Sequence, residues 1–151
     1  MNTDRIEKQV ELKASSARVW RALTDHREFG AWFGVDLPEP FAPGKTSRGR
    51  ITHPGYEHVP FEFIVQEMRE QVLFSFLWHP YAVDPEVDYS AEPHTLVEFR
   101  LETVGAGTRL TVTESGFDRI PPGRRHEAFR MNEGGWSAQL KNIEAHVGST
   151  P

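Results

Sequence analysis

"TLVEFRLETVGAGTRLTVTESGF", residues 95–117, decides how this chain folds. Before the Gly-Ala-Gly at 105–107, Val97, Phe99 and Leu101 alternate with Glu98, Arg100 and Glu102. After it, Leu110 and Val112 alternate with Arg109, Thr111, Thr113 and Ser115. Strand side chains point to opposite faces in turn, so each run has one apolar and one polar face. Two such runs joined by a short glycine-containing link predict a β-hairpin. One residue breaks the pattern. Glu114 takes the next place on the apolar face after Leu110 and Val112. Three readings stand open for it: a strand end that has reached water, a partner for an arginine, or a polar anchor in a cavity wall, with a raised pKa suited to acid–base work.

Upstream of the hairpin the same period recurs. Residues 5–13 alternate Ile6, Lys8, Val10 and Leu12 with Glu7, Gln9 and Glu11, the pattern of a half-buried strand. Ser15 is a good N-cap for a helix whose stripe is Val19, Trp20 and Leu23. Asp25 with Glu28 forms a capping-box-like start for a second short helix carrying Phe29, Trp32 and Phe33. The segment 34–45 holds three prolines and two glycines and reads as a loop. Strands are predicted over 45–53, 59–68 and 71–79, the last two joined as a hairpin. Residues 80–93 form a loop with three prolines, four acids and no base.

Downstream, Phe129, Trp136, Leu140, Ile143 and Val147 line one face of a helix over 124–147, about six turns long. Gly134-Gly135 costs that helix roughly 1–2 kcal/mol against a pair of alanines. Close approach of the backbone to the sheet, or a bend, would explain it. The order is strand, two short helices, about five more strands and one long helix. That is an α+β chain with one face of a mostly antiparallel sheet covered by helices. One helix does not fill the concave face of a curved sheet of about six strands, so a cavity between them is the expectation.

Composition sets limits. The 151 residues suit one domain, taken as 1–151, with 38% hydrophobic and 26% charged residues. Ten Phe and four Trp make an aromatic-rich core. There is no cysteine, which excludes disulfides and thiolate chemistry and fits a cytoplasmic location. A formal charge of −5 argues against nucleic acid or an anionic membrane surface as partner. The start, "MNTDRIEKQVELK", has no apolar run of the kind a signal peptide or anchor needs. Seven scattered histidines make neither HxH nor HExxH, so no metal is expected, and no cofactor. "GKTSRG" at 44–49 lacks the upstream glycine of a phosphate loop, and no serine stands in a nucleophile-elbow context.

Three stretches carry a resemblance: "IEKQVELKASSARVWRALTDHREFGAWF" at 6–33, the hairpin at 95–117, and "GGWSAQLKNIEAHV" at 134–147. In sequence and order they resemble the bacterial proteins related to the activator of Hsp90 ATPase, within the START/Bet v1-like (SRPBCC) helix-grip superfamily. The resemblance implies a six- or seven-stranded antiparallel sheet wrapped around the C-terminal helix, with a ligand cavity between them. The superfamily includes lipid and hormone binders, polyketide cyclases and co-chaperone domains, and fold alone does not choose among them. The eukaryotic co-chaperones use a separate N-terminal domain for much of their chaperone contact. This chain has no room for one, so chaperone contact is a secondary expectation.

The leading expectation is a small hydrophobic or aromatic molecule bound in that cavity. Candidate ligand-binding residues are Glu114, Glu133, Trp78, His79, Trp32, Phe63, Phe76, Phe99, Phe129 and Trp136. Glu133 lies one turn before Trp136 on the helix stripe. It can meet Glu114, with Asn132 and Arg125, if helix start and strand end share one cavity mouth. Trp78 and His79 end a strand, and the 80–93 loop with Tyr81 and Tyr89 is either a lid or a solvated crossover. Two alternatives remain: a cofactor-free cyclase or aromatase-like enzyme using Glu114 with His79 or Glu133, and a chaperone-related interaction module.

Overall fold

The computed structural model describes residues 4–84 and 86–149. Residues 1–3, Pro85 of the predicted long loop, and 150–151 lie outside them. The chain runs β1 (Arg5–Leu12), α1 (Ser16–Thr24), α2 (His26–Phe33), β2 (Val35–Asp36), β3 (Thr46–Ile51), β4 (Pro60–Arg69), β5 (Leu73–Trp78), β6 (Thr95–Val104), β7 (Gly107–Ser115), a 3₁₀ turn (Phe117–Arg119) and α3 (Pro122–Ser149). Every strand pair is antiparallel, in the order β1-β7-β6-β5-β4-β3-β2. The architecture is α+β, a curved sheet closed on one side by α3 and the α1–α2 pair.

The predicted hairpin is β6–β7, with Val97 opposite Glu114 and Phe99 opposite Val112. The sheet has seven strands rather than six. The extra one, β2, has two residues and lies in the segment read as a loop. So short a strand shows no alternation. Its place is set by backbone approach instead: a Cβ on Gly49 would meet Asp36 O at 1.7 Å, and one on Gly30 would meet Val35 O at 2.4 Å.

Both predicted helix caps form. Ser15 accepts a hydrogen bond from Arg18 N, and Asp25 accepts from Arg27 N and Glu28 N. Glu28 does not fold back onto Asp25 to close a capping box. It takes Arg18 Nη1 at 2.8 Å, Arg21 Nε at 2.8 Å and His146 Nε2 at 2.9 Å, and so joins α1, α2 and α3. Burial raises its pKa. The hydrogen bonds from His146 and Arg18, with the charges of Arg18 and Arg21, outweigh this and hold the carboxyl below the ordinary range.

The buried stripe of α3 is Ala128, Trp136, Leu140, Ile143 and Val147. Opposite it, the space expected to be a cavity holds interlocked rings. Phe29 meets Trp32, Phe41 and Phe63 edge-on, Phe63 stacks on Phe76 at 4.2 Å, and Phe99 packs edge-on against Trp136. Burial of each such ring contributes about 1.5–3 kcal/mol. The large aromatics of β4–β6 and α2 thus fill what one helix leaves open.

The close approach of Gly134-Gly135 to the sheet does not occur. The helix runs through both, and a Cβ on either would meet nothing within 4 Å. Opposite outcomes are expected from adding one methyl group. Gly49→Ala should destabilise by about 1–3 kcal/mol through overpacking. Gly134→Ala and Gly135→Ala should each stabilise by roughly 0.4–1 kcal/mol. Urea denaturation of the three variants checks both signs.

Candidate functional site

Glu114 is wholly buried, opposite Ile6 on one side and Val97 on the other. Neither water nor an arginine receives it. Its Oε1 accepts from Asn132 Nδ2 at 2.9 Å and Trp136 Nε1 at 2.8 Å. Its Oε2 accepts from Trp78 Nε1 at 2.8 Å, Thr95 Oγ1 at 2.6 Å and, more weakly, Asn132 Nδ2 at 3.2 Å. Burial drives its pKa up, and the bonds from Thr95, Trp78, Trp136 and Asn132 pull it back only in part. Sequence reasoning missed Thr95. The signal was present, because Thr95 precedes Val97, Phe99 and Leu101 on the inward face and lies diagonally across from Glu114.

The donors form a wall. On its outer side lies an open cleft of about 630 Å³. Phe33 of α2, Phe61 of β4 and Trp78 of β5 make its apolar base, and Tyr81, Val83, Val87 and Tyr89 come from the 80–93 segment. Arg48, Glu62, His79 and Asn132 are polar groups along it. Beside it is a notch of about 90 Å³ lined by Phe33, Trp78, Asn132, Gly135, Trp136 and Gln139, so the two spaces share three residues. Trp78 and Trp136 stack at 5.6 Å, both indole N–H groups turned inward to Glu114. His79 Nε2 donates to Glu92 O at 3.0 Å, and its ring stacks on His94 at 4.2 Å. Burial, then the neighbouring His79, holds His94 below the usual histidine range.

The 80–93 segment is fastened by Arg124. Its guanidinium meets the Glu92 carboxylate through Nη2 at 2.7 Å and Nε at 3.1 Å, donates from Nη1 to Tyr81 O at 3.1 Å, and lies 4.7 Å from the Tyr89 ring centre. An arginine in the first turn of a helix opposes the helix dipole. Tyr81 has φ of 50°, a left-handed conformation that costs a bulky residue about 1–2 kcal/mol. The one guanidinium offsets both costs and holds the two ends of the segment over the cleft.

The model of the family described as activator of Hsp90 ATPase homolog 1-like protein matches residues 13–148. The chain belongs to that family. Among solved structures, the activator of Hsp90 ATPase homolog 1-like chain is similar to DynU16, a protein of the dynemicin biosynthetic locus (23% identity, TM-score 0.74, 96% of this chain and 47% of that one). The chain thus spans about half the length of DynU16. It is also similar to MLL2253 from Mesorhizobium loti (20%, 0.77, 97% and 98%) and to a protein from Arthrobacter aurescens (16%, 0.81, 99% and 90%). At such identities these likenesses establish the helix-grip fold alone. No curated protein matches the sequence.

In this family member the predicted site residues do not share one place. Trp78 and His79 line the cleft, and Trp136 lines the notch. Trp32, Phe63, Phe76 and Phe99 are core rings, each at most 5% exposed. Glu114 stands behind the wall and touches neither space. Phe129 packs on Phe117 at 5.1 Å. Glu133 is exposed on α3 and is not a partner of Glu114, so the predicted meeting of the two carboxylates does not occur. Helical periodicity placed Glu133 a turn before Trp136, but that turn's inward place goes to Asn132, at i−4. Arg125 binds Ile120 O and Asp118 O instead. Among the described residues no three His, Asp or Glu side chains gather to hold a metal ion, and no helix is long and apolar enough to cross a membrane.

Glu114→Gln replaces one of the two acceptor oxygens by an NH₂ that faces the donors of that oxygen, and should cost about 2–4 kcal/mol. The wild-type carboxyl binds its proton more tightly folded than unfolded. The stability this gives is complete below the ordinary value of 4.5 and is lost as pH rises through the raised one. The gap between wild type and Glu114→Gln should therefore narrow as pH rises, in urea melts from pH 4 to 9. Arg124→Ala should cost about 1–3 kcal/mol. It should also speed amide exchange in residues 81–84 and 86–92 while leaving that of β6 and β7 unchanged.

Proposed function

We propose that this chain binds a small, mostly apolar molecule, aromatic by preference, in the cleft beneath the 80–93 segment. The observation that carries the reading is the cleft itself. It is concave, falls within the ~300–1,000 Å³ range of small-molecule sites, and sets aromatic walls against a few polar groups. The strained Tyr81 backbone and its arginine clamp support it, because local strain gathers at ligand clamps. The reading moves the ligand from the sheet–helix interior, which aromatic side chains occupy, to the open end beside Trp78.

The acid–base pair of a cyclase-like enzyme finds no support in Glu114. All of its bonds go to protein donors, and neither His79 nor Glu133 is among its partners. Its work is to position Trp78, Asn132 and Trp136.

Burying roughly 200 Å² of ligand is worth about 5 kcal/mol before association costs, which corresponds to about 0.2 mM at best without polar help. Mass spectrometry of small molecules that co-purify with the native protein should find an aromatic compound. Naphthalene-class probes should quench Trp78 fluorescence and raise the melting temperature. Phe61→Arg, on the cleft wall, should abolish both effects. Unchanged fluorescence and melting across such probes would sink the reading.

A further inference from the structure

The notch beside the cleft points to one chemical feature of the ligand. Asn132 gives its Nδ2 to both oxygens of Glu114. A flipped amide would set Oδ1 against those oxygens, so the buried carboxylate fixes which way the amide points. Oδ1 consequently faces away from Glu114. It has no hydrogen-bond partner among the described residues, and Asn132 lines both cleft and notch. The other polar groups there are already engaged. Both indole N–H groups bind Glu114, Gln139 Nε2 donates to Phe33 O at 2.8 Å, and Gln139 Oε1 accepts from Asn142 at 3.0 Å. Asn132 Oδ1 is thus the acceptor left over beside the notch, while Gln139 keeps a second N–H beyond the one given to Phe33 O.

Size limits what can enter. The notch, about 90 Å³, is smaller than the ~150 Å³ cavity that takes up benzene, so it admits a substituent and not a ring. Gly135 keeps it open. A Cβ there would meet no atom within 4 Å, yet glycine costs the helix about 1 kcal/mol.

We propose that the ligand carries a hydroxyl or amino group that enters the notch over Gly135 and donates a hydrogen bond to Asn132 Oδ1, while its ring lies in the cleft. This rests on the cleft being the binding site. A group that only accepts, such as an ether, has no hydrogen to give Asn132 Oδ1 and forgoes that bond.

The test uses 1-naphthol, 1-methoxynaphthalene and naphthalene, read by tryptophan quenching and calorimetry on the whole protein. One neutral hydrogen bond predicts that 1-naphthol binds about fivefold to tenfold tighter than the ether. In Asn132→Leu, which removes the acceptor, that ratio should fall to about one. Gly135→Val fills the notch without touching Glu114 and should do the same, so it decides the matter even if Asn132→Leu does not fold. Equal binding of 1-naphthol and the ether to wild type overturns the proposal. So does an undiminished 1-naphthol advantage in folded Gly135→Val. Binding of none of the three probes would instead remove the cleft reading, and this proposal with it.

Discussion

One buried carboxylate organises this fold. Glu114 of β7 takes donors from β5 (Trp78), from β6 (Thr95) and, one turn apart, from α3 (Asn132 and Trp136). A carboxyl group in an apolar interior is costly unless its hydrogen-bonding capacity is met. Here it is met by four side chains with no counter-charge. The demand therefore becomes geometric, because sheet and helix must stand where all four donors reach two oxygens. Residues 132 and 136 share a helix face, so both the rotation of α3 and its height over the sheet are set by these bonds. Apolar packing at Leu140, Ile143 and Val147 would tolerate a slip. The carboxylate would not.

Much of the fold was legible because its signals are local. The β6–β7 hairpin, the Ser15 and Asp25 caps and the α3 stripe each follow from a period or a cap residue within a few positions. The oddity of Glu114 was legible too, as a charge at an inward place. What answered it was not. Trp78 and Thr95 lie 36 and 19 residues away, and their convergence depends on strand order. Of the three groups expected to meet Glu114, only Asn132 does; Glu133 and Arg125 do not, because the buried place needed a neutral donor one turn before Trp136. β2 was illegible because two residues have no period. The filled interior was missed because ring orientation, not ring count, decides whether aromatics wall a cavity or close it.

Several local compromises of the chain gather around the cleft and its notch. Two arginines sit at the start of α3, against its dipole. Tyr81 holds a left-handed backbone, and two adjacent glycines weaken α3 beside an open notch. Two others lie apart from it: Gln71, between β4 and β5, has φ of 60°, and the buried Ser47 Oγ of β3 has no hydrogen-bond partner among the described residues. A sequence that breaks its own rules in one neighbourhood marks that neighbourhood as shaped for something besides stability. The cleft lies there.

The pairing of β1 with β7 has a consequence for how the molecule is made. Arg5 lies against Ser115 and Leu12 against Thr108, so the first strand closes the sheet beside the last. Loops of such length form late, after hairpins such as β6–β7 have closed. During synthesis β1 waits for almost the whole chain, and until it docks the outer edge of β7 is an open template for strand pairing. Ile6, opposite Glu114, arrives with it. The carboxylate that sets the architecture is thus among the last groups sealed from water, and the nascent chain keeps it hydrated while the donors assemble around it.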